Sequence, residues 1–199
     1  MREQQQEEPG PFGDDDADKA LLARSVGGDA DAFRALYDKY YHPLLRFIYR
    51  ITGQLELAQE GVNDVMLVVW KNGSSFGGRS RVGTWIMGIA YRKALKMLDK
   101  SRRWSDRFRT WGDDADELPD PSPEHTVDVD LEDLIERGME RLPAKQRAVV
   151  ELTYYYGYSY AEIAEIAGCP VNTVKTRMFH ARERLKQSLP PLARDELIK

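Results

Sequence analysis

Polar and cationic side chains near the C-terminus have the types and the spacing that suit the reading of DNA. The stretch PVNTVKTRMFHARERLK holds Asn172, whose amide can pair with adenine, and Lys175, which can pair with guanine. Thr176 can contact the methyl group of thymine, and the neighbouring arginines suit phosphates. The residues predicted to contact DNA in this stretch are Asn172, Thr173, Lys175, Thr176, Arg177, Phe179, His180 and Arg182.

A turn at residues 168–170 separates this stretch from a shorter helical pattern, EIAEIAG. Two helices joined by a short Gly-containing turn form a helix-turn-helix, whose second helix can lie in a DNA major groove. Apolar residues of the second pattern recur at spacings of 4, 3 and 4, which keeps them on one face: Val174, Met178, Ala181 and Leu185. A basic helix alone could be a solvated surface helix, but the preceding turn favours DNA contact.

The region 76–103 is a second basic stretch, which holds 8 basic residues and 1 acid together with Trp85 and Tyr91. Basic residues interleaved with aromatic rings suit single-stranded DNA, because cations follow phosphates and rings stack on unpaired bases at ~1–3 kcal/mol per base. Trp85 occupies an apolar helical position and is predicted to lie in the core rather than to stack on a base. This region therefore predicts a second DNA-binding surface.

The charges that must support these surfaces are segregated along the 199-residue chain, whose net charge is −4. Residues 21–103 hold 14 bases and 7 acids, residues 104–136 hold 2 bases and 12 acids, and residues 137–199 hold 11 bases and 7 acids. The helical spacing of apolar residues predicts an all-α protein with two helical domains. The charge counts predict that an acidic flexible linker joins them. The predicted boundaries are an acidic disordered tail at 1–19, a first module at 20–103, the linker at 104–129, a second module at 130–189 and a C-terminal tail at 190–199.

Other function classes receive little support from the residue types. Cys169 is the single cysteine, so no internal disulfide is predicted, and no histidine completes a zinc-type spacing with it. Three scattered histidines and the absence of a phosphate-binding loop predict no catalytic site, no metal and no cofactor. The N-terminal stretch lacks a signal-peptide core and no apolar run reaches membrane length, which predicts a soluble cytoplasmic protein.

The second module resembles region 4 of the bacterial extracytoplasmic-function (ECF) sigma factors of RNA polymerase. The matching residues are Leu142, Pro143, Arg147, Tyr160, Glu162, Ile163, Ala164, Thr173, Val174, Lys175, Arg177, Ala181 and Arg182. The resemblance implies that the C-terminal helix reads the −35 promoter element. Asn172 replaces a usual glycine and His180 stands where arginine is common, so the −35 sequence read here is expected to differ from the family's commonest one.

The first module resembles region 2 of the same family. Matching residues include Leu36, Tyr37, Tyr40, Leu44, Arg46, Thr52, Gly53, Ala58, Val62, Trp70, Phe76, Thr84, Trp85, Ile89, Ala90, Asp99, Arg102 and Arg103. The resemblance implies that the loop 74–83 captures a base of the −10 element and that the following helix reads the adjoining duplex. The residues predicted to contact −10 DNA are Arg79, Arg81, Tyr91, Arg92, Lys93, Lys96, Arg102 and Arg103.

The polar face of the helix near residues 55–71 is expected, by the same resemblance, to dock on core RNA polymerase at the β′ coiled coil. The predicted contact residues are Glu60, Asn63 and Asp64, of which the last two replace the family's Gln and Glu. Gly61 replaces a usual leucine and Met66 a usual phenylalanine. The family also implies contact with the β flap of the polymerase, promoter DNA as a partner, and an anti-sigma factor that can be membrane-bound.

Two readings of the whole chain follow. It is identified as a member of the ECF sigma factors, which direct promoter-specific initiation and aid promoter melting without covalent chemistry of their own. The alternative is a helix-turn-helix DNA-binding regulator that does not replace sigma. The alternative class would lack a polymerase-docking first module. An acidic linker that threads through the basic RNA path of the polymerase, rather than a plain solvated tether, is a further expectation from the family.

Overall fold

The computed structural model describes residues 12–109 and 131–188, and every element in them is helical. The elements, in chain order, are α1 (Asp15–Val26), α2 (Ala30–Thr52), α3 (Leu55–Asn72), a 3-10 turn (Gly73–Ser75), α4 (Val82–Arg109), α5 (Leu131–Glu140), α6 (Ala144–Tyr154), α7 (Tyr160–Ala167) and α8 (Val171–Ser188). The predicted all-α class is confirmed. Helices α1 to α4 form the first module and helices α5 to α8 the second.

The long helix α2 is the central element of the first module. Asp29 caps its N-terminus, with its carboxylate accepting hydrogen bonds from the backbone N–H groups of Asp31 and Ala32 at 3.0 Å. Gly53 ends it in the left-handed region at φ 72°, a conformation that glycine adopts without a steric cost. Its inward face is fully buried against α3 and α4: Leu36, Tyr40, Leu44, Phe47, Ile48 and Ile51. This helix sets the position of both surfaces predicted for the module.

Helix α1 corrects the predicted boundary of the N-terminal tail. It begins at Asp15, inside the range 1–19 that was predicted to be disordered, because Asp14 caps it and acids in its first turn favour a helix N-terminus. Asp18, which is 2% exposed, accepts a 2.6 Å hydrogen bond from the buried hydroxyl of Tyr40. Residues 12–18, hereafter the N-terminal strap, are therefore attached to the first module. Residues 1–11 of the predicted tail lie outside the described residues.

The second module contains the predicted helix-turn-helix. Ser159 and Glu162 form a capping box, in which the serine hydroxyl accepts from the Glu162 N–H at 3.3 Å and the carboxylate accepts from the Ser159 N–H at 2.9 Å. Gly168 ends α7 in the left-handed region at φ 60°, so the chain can turn directly into α8. Apolar residues of α7 and α8 meet across this turn, with Ile163, Ile166 and Val174 at most 1% exposed.

The two modules pack against each other and share one continuous apolar core. Helix α7 lies on α4 at Gly88, where a Cβ atom would stand 3.6 Å from the Ile166 carbonyl oxygen. Helix α6 lies on α2, where the hydroxyl of Tyr156 donates a 2.7 Å hydrogen bond to the carbonyl of Pro43. Arg147 donates from the second module to the backbone carbonyl of Arg50 at 3.0 Å. This arrangement is called the closed form below.

The predicted linker and C-terminal tail lie largely outside the described residues. Helix α4 continues to Arg109, six residues beyond the predicted end of the first module, and α5 begins at Leu131, close to the predicted start of the second. The intervening residues 110–130 and the C-terminal residues 189–199 are not described.

Candidate DNA and polymerase surfaces

Helix α8 divides into an apolar face and a polar face, as its sequence predicts. The apolar face is buried, with Val174, Met178, Ala181 and Leu185 at most 4% exposed. The polar face is open, and six of the eight residues predicted for −35 contact are exposed: Asn172, Lys175, Thr176, Phe179, His180 and Arg182. The remaining two, Thr173 and Arg177, are half-buried.

Several contacts within the second module orient the exposed face of α8. The hydroxyl of Thr176 donates a 2.9 Å hydrogen bond to the backbone carbonyl of Asn172, which fixes the side chain on this exposed face. Arg182 donates to the Tyr154 hydroxyl at 2.7 Å. Phe179 is 61% exposed, which is unusual for a phenylalanine that only fills a core. The polar face thus combines hydrogen-bonding groups, cations and one exposed ring.

Arg177 points away from this face and toward the first module. Its Nη1 atom lies 3.4 Å from the Tyr91 hydroxyl and 3.6 Å from Cys169 Sγ. Tyr91 is 4% exposed, and its burial raises the pKa of its hydroxyl. A residue predicted to read the −35 element and one predicted to contact −10 DNA are therefore in contact with each other.

The residues predicted for −10 DNA follow the start of α4 and the loop before it. Arg79, Arg92, Lys96 and Arg103 are exposed, whereas Arg81 and Lys93 are half-buried. The side chain of Arg102 lies outside the described part of α4. Trp85 is half-buried and packs on Phe76, with ring centroids 5.5 Å apart, and it contacts the core as predicted.

The three residues predicted to meet core polymerase share the outer side of α3. Glu60 is exposed, Asn63 accepts a 2.9 Å hydrogen bond from the Tyr37 hydroxyl, and Asp64 pairs with Lys93 at 2.9 Å. Together with Lys93, Lys96 and Lys100, Glu60 and Asp64 line a cleft of about 360 Å³ between α3 and α4. The residues of this cleft that are predicted to contact polymerase thus form its acidic α3 side, and those predicted to contact DNA lie on its basic α4 side.

Gly61 lies on the opposite side of α3 from these polar residues. A Cβ atom there would stand 3.1 Å from two Ile48 atoms and 3.2 Å from Met97 sulfur. The position therefore has little room for the leucine that is usual in the family, and the replacement reflects packing of α3 on α2 and α4.

Glu151 is a buried acid that the sequence analysis did not single out. It is completely buried on α6, and its carboxylate lies 4.0 Å from Arg50 Nε in the first module. Burial raises the pKa of this carboxyl group, an effect opposed by the positive charges of Arg50, Arg46 and Arg147 and reinforced by Glu136. An acid inside a run of apolar residues, AVVELTYYY, is the sequence signal that could have indicated a special environment.

The N-terminal strap was also missed as a structured element. Its Phe12 ring lies 4.9 Å from the Tyr40 ring and 6.3 Å from each of the Tyr156 and Tyr158 rings. The Asp15 carboxylate accepts a 2.7 Å hydrogen bond from the Val82 N–H at the start of α4. A single phenylalanine before an aspartate run, PFGDDD, was the available signal.

Two observations concern functions other than nucleic-acid binding. No group of three or more potential metal-binding side chains occurs within residues 12–109 and 131–188. Among the helices that the structure describes, none has the length and apolar character needed to span a membrane.

Comparison with protein families finds two matches that coincide with the two modules. The model described as Sigma-70 region 2 matches residues 36–104, and the model described as Sigma-70, region 4 matches residues 132–185. Together they cover more than half of the chain. The region 2 match favours the sigma-factor reading over the alternative of a regulator that does not replace sigma.

Similar curated proteins extend over nearly the whole chain. The RNA polymerase sigma-H factor of Pseudomonas aeruginosa is 32% identical over 187 residues, which are 89% of this chain and 96% of that protein. The ECF RNA polymerase sigma factor SigL of Mycobacterium tuberculosis is 31% identical over 177 residues, with coverage of 87% and 97%.

Solved structures with the same fold include two complexes. The structure of CnrH with the cytosolic domain of CnrY gives a TM-score of 0.62 at 20% identity, covering 86% of this chain and 96% of that one. The sigma factor RpoE in complex with the anti-sigma factor NepR, from Bartonella quintana, gives 0.60 at 22% identity, covering 78% and 94%.

Proposed function

The chain belongs to the ECF sigma factors of the sigma-70 family, and from this premise we propose how its surfaces divide the work of promoter-specific initiation. Sigma factors bind core RNA polymerase and promoter DNA, and they initiate transcription without being enzymes. In this proposal α8 reads the −35 element, the loop 74–83 and α4 engage the −10 element, and the outer side of α3 docks on the polymerase.

The observation that carries the −35 assignment is the complete burial of the apolar face of α8 beside an open polar face. A recognition helix must be held rigidly from behind while its other face enters the major groove. Lys175 and Asn172 supply groups that suit guanine and adenine, and Phe179 supplies an exposed ring for a thymine methyl. Arg182, oriented by Tyr154, is suited to a backbone phosphate.

The −10 assignment is supported by the exposed cations that border α4. Arg79 extends the basic surface into the loop 74–83, and Arg92 and Lys96 continue it about three and four turns into α4. Such a surface can follow the phosphates of a separated strand while promoter melting proceeds. Tyr91 joins this surface only when the second module no longer covers it.

Docking on the β′ coiled coil is assigned to Glu60, Asn63 and Asp64, on the outer side of α3. These side chains lie apart from the buried Val62, Val65, Met66 and Val69, so a partner can contact them without disturbing the core. The second module is proposed to contact the β flap. The acidic linker between the modules is proposed to pass through the basic RNA path of the polymerase.

An anti-sigma factor is the regulatory partner that we propose. Both solved structures compared above are complexes, one with the cytosolic domain of CnrY and one with the anti-sigma factor NepR. A partner that covers the outer side of α3 would prevent polymerase docking. A membrane-bound form of this partner and a cytoplasmic location for the chain itself complete the proposal.

Reconstitution with sigma-free core polymerase tests the proposed function. The holoenzyme is expected to produce a defined transcript from the promoter upstream of the chain's own gene, and core polymerase alone is not. Permanganate reactivity of thymines near −10 should appear only with the holoenzyme. Folded protein that binds core polymerase yet yields no promoter-dependent transcript from any genomic fragment would refute the proposal.

A further inference from the structure

Phe12 occupies the place where the two modules meet. Its ring packs on Tyr40 of α2 in the first module and on Tyr156 and Tyr158 of the second, with centroid distances of 4.9, 6.3 and 6.3 Å. Tyr156 also packs edge-on against Phe47 at 6.1 Å. One aromatic side chain of the strap thus contacts both modules. The boundary between the two modules, where α4 meets α7 and α2 meets α6, is called the seam below.

The strap is fixed to the first module independently of these ring contacts. Asp15 accepts from the Val82 N–H at 2.7 Å, and the buried Asp18 accepts from the Tyr40 hydroxyl at 2.6 Å and pairs with Lys39. Because a buried carboxylate is costly unless its hydrogen bonds are satisfied, these contacts hold the strap in one position. Phe12 is therefore presented to the second module from a fixed base.

Gly83 provides the space that the Phe12 ring fills. A Cβ atom at this position would lie 2.7 Å from Phe12 Cδ2 and 3.2 Å from the Tyr40 hydroxyl oxygen. A side chain at residue 83 and the ring in its present position therefore exclude each other. The Phe12 ring therefore fills a space at the seam that is bordered by Gly83 and by the rings of Tyr40, Tyr156 and Tyr158.

The closed form cannot engage both promoter elements at once. Arg177 and Tyr91, which belong to the two proposed DNA surfaces, lie 3.4 Å apart. The −35 and −10 elements are about 25 base pairs apart by the positions that name them, or roughly 85 Å at about 3.4 Å per base pair. The modules must separate before one chain can bind the two elements together.

We propose that Phe12 of the N-terminal strap is an intramolecular ligand that holds the two modules in the closed form until core polymerase separates them. The proposal rests on the proposed function, because it assigns a regulatory contact to the surfaces described there. Part of the free energy of polymerase binding is then used to open the seam. The apparent affinity for core polymerase is then the affinity of the open form multiplied by the fraction of molecules that are open.

Single-molecule energy transfer between the modules tests this proposal on the full chain. Dyes at Gln59→Cys on α3 and Gln187→Cys on α8, both exposed positions, report the separation in a Cys169→Ser background. Phe12→Ala is expected to lower the closed-to-open ratio by about tenfold, because the two aromatic contacts that cross to the second module, with Tyr156 and Tyr158, are lost. Asp16→Ala, a strap residue whose side chain is 90% exposed, is the control and should leave the ratio unchanged.

Gly83→Ala provides a second route to the same result. Its added methyl group should displace the Phe12 ring and open the seam while leaving Phe12 in the sequence. Circular dichroism and thermal unfolding of each variant establish that both modules remain folded. An unchanged closed-to-open ratio in folded Phe12→Ala or in folded Gly83→Ala overturns the proposal.

Core-binding and transcription assays separate this proposal from the proposed function. Phe12→Ala should bind core polymerase several-fold more tightly than the unsubstituted chain and should keep promoter-dependent transcription. If it transcribes normally but neither its closed-to-open ratio nor its core affinity changes, the strap proposal fails and the sigma function stands. If the seam opens as expected but no chain supports transcription, the proposed function fails and the intramolecular ligand stands.

Discussion

Helices α8 and α4 carry the two proposed DNA surfaces, and they differ in how ready those surfaces are. Six predicted contact residues of α8 are exposed, and the helix is held from behind by a complete apolar face. On α4, Tyr91 is buried under the second module, and Lys93 is paired with Asp64. Duplex reading by α8 therefore needs no rearrangement of the second module, whereas full exposure of the α4 surface requires the modules to part.

The difference suits the two kinds of DNA that these surfaces are proposed to bind. A duplex presents its base edges at any time, so a preformed recognition helix can search for them. Unpaired bases exist only after the duplex opens, which happens on the polymerase. If α4 binds −10 DNA as proposed, its partial covering in the closed form withholds that surface from nonspecific nucleic acid.

The largest expected effect comes from removing base readout on α8. The double substitution Lys175→Ala and Thr176→Ala should weaken binding of the holoenzyme to its promoter by about 30-fold or more, since two base contacts at ~1–3 kcal/mol each amount to at least ~2 kcal/mol. Fluorescence anisotropy at fixed salt measures it. Lys145→Ala, which removes an exposed charge from α6, is the matched control. Equal losses on DNA with a scrambled −35 element would show that only phosphates are contacted.

Removing cations from α4 should have a smaller and differently distributed effect. Arg92→Ala combined with Lys96→Ala is expected to lower open-complex formation by about tenfold and to reduce the salt dependence by roughly two phosphate contacts. Binding of the free chain to a −35 duplex should not change. Permanganate footprinting and anisotropy measure the two quantities. A comparable loss of −35 duplex binding would contradict the division between α4 and α8.

The covering of α4 should depend on pH through Glu151, with a smaller effect. Burial raises the pKa of this carboxyl group in the closed form, so the closed form binds the proton more tightly than an open form that exposes the group to water. The closed form should therefore become more stable relative to the open form as pH falls from the raised pKa toward the ordinary value of 4.5. Above the raised pKa this added stability should be absent. Arg46, Arg50, Arg147 and Glu136 are the charged groups that face this carboxylate.

Glu151→Gln removes this ionisation and serves as the test. It should increase the closed-to-open ratio a few-fold at neutral pH. It should also abolish the pH dependence of that ratio, as measured by energy transfer between the dyes on α3 and α8. Circular dichroism at each pH separates opening of the seam from unfolding. Persistence of the full pH dependence in the folded variant would assign it to another group.

The smallest effect is expected for the pair that links the two sides of the α3 and α4 cleft. Lys93 and Asp64 are 2.9 Å apart, but their side chains are 33% and 40% exposed, so their coupling should not exceed about 1 kcal/mol. A double-mutant cycle with Lys93→Met and Asp64→Asn in urea unfolding measures it. A weak coupling leaves both residues available to polymerase or DNA, whereas a coupling well above this value would make the pair structural.

Sequence periodicity was sufficient for the elements whose positions depend on local order. The apolar spacing of α8 and the turn at residues 168–170 were predicted and confirmed, because each involves residues within one or two helical turns. The match of both modules to one family was likewise confirmed. The contacts of individual residues with DNA and polymerase stay predictions.

Features that depend on distant residues were not predictable in the same way. The aspartates at 14–18 indicated a solvated tail, yet Asp14 caps α1 and Asp18 is buried against Tyr40, a residue of α2. The burial of Tyr91 requires the second module to lie on α4, which no local pattern encodes. Trp70, which matches the family pattern, is 38% exposed at the edge of the module and packs on Phe33 of α2, a contact that no local pattern encodes.

Gly88 sets how closely α4 and α7 approach each other, so substitutions at this residue can change that distance. An alanine there would meet Arg92 Nη1 at 3.4 Å and the Ile166 backbone at 3.6 and 3.7 Å, which are ordinary contacts, whereas a longer side chain would act as a wedge. Graded increases in side-chain volume at this one site should therefore yield a series of chains with progressively weaker self-inhibition. Such a series would supply promoter-specificity subunits of chosen resting activity for synthetic gene circuits, without altering any residue proposed to touch DNA or polymerase.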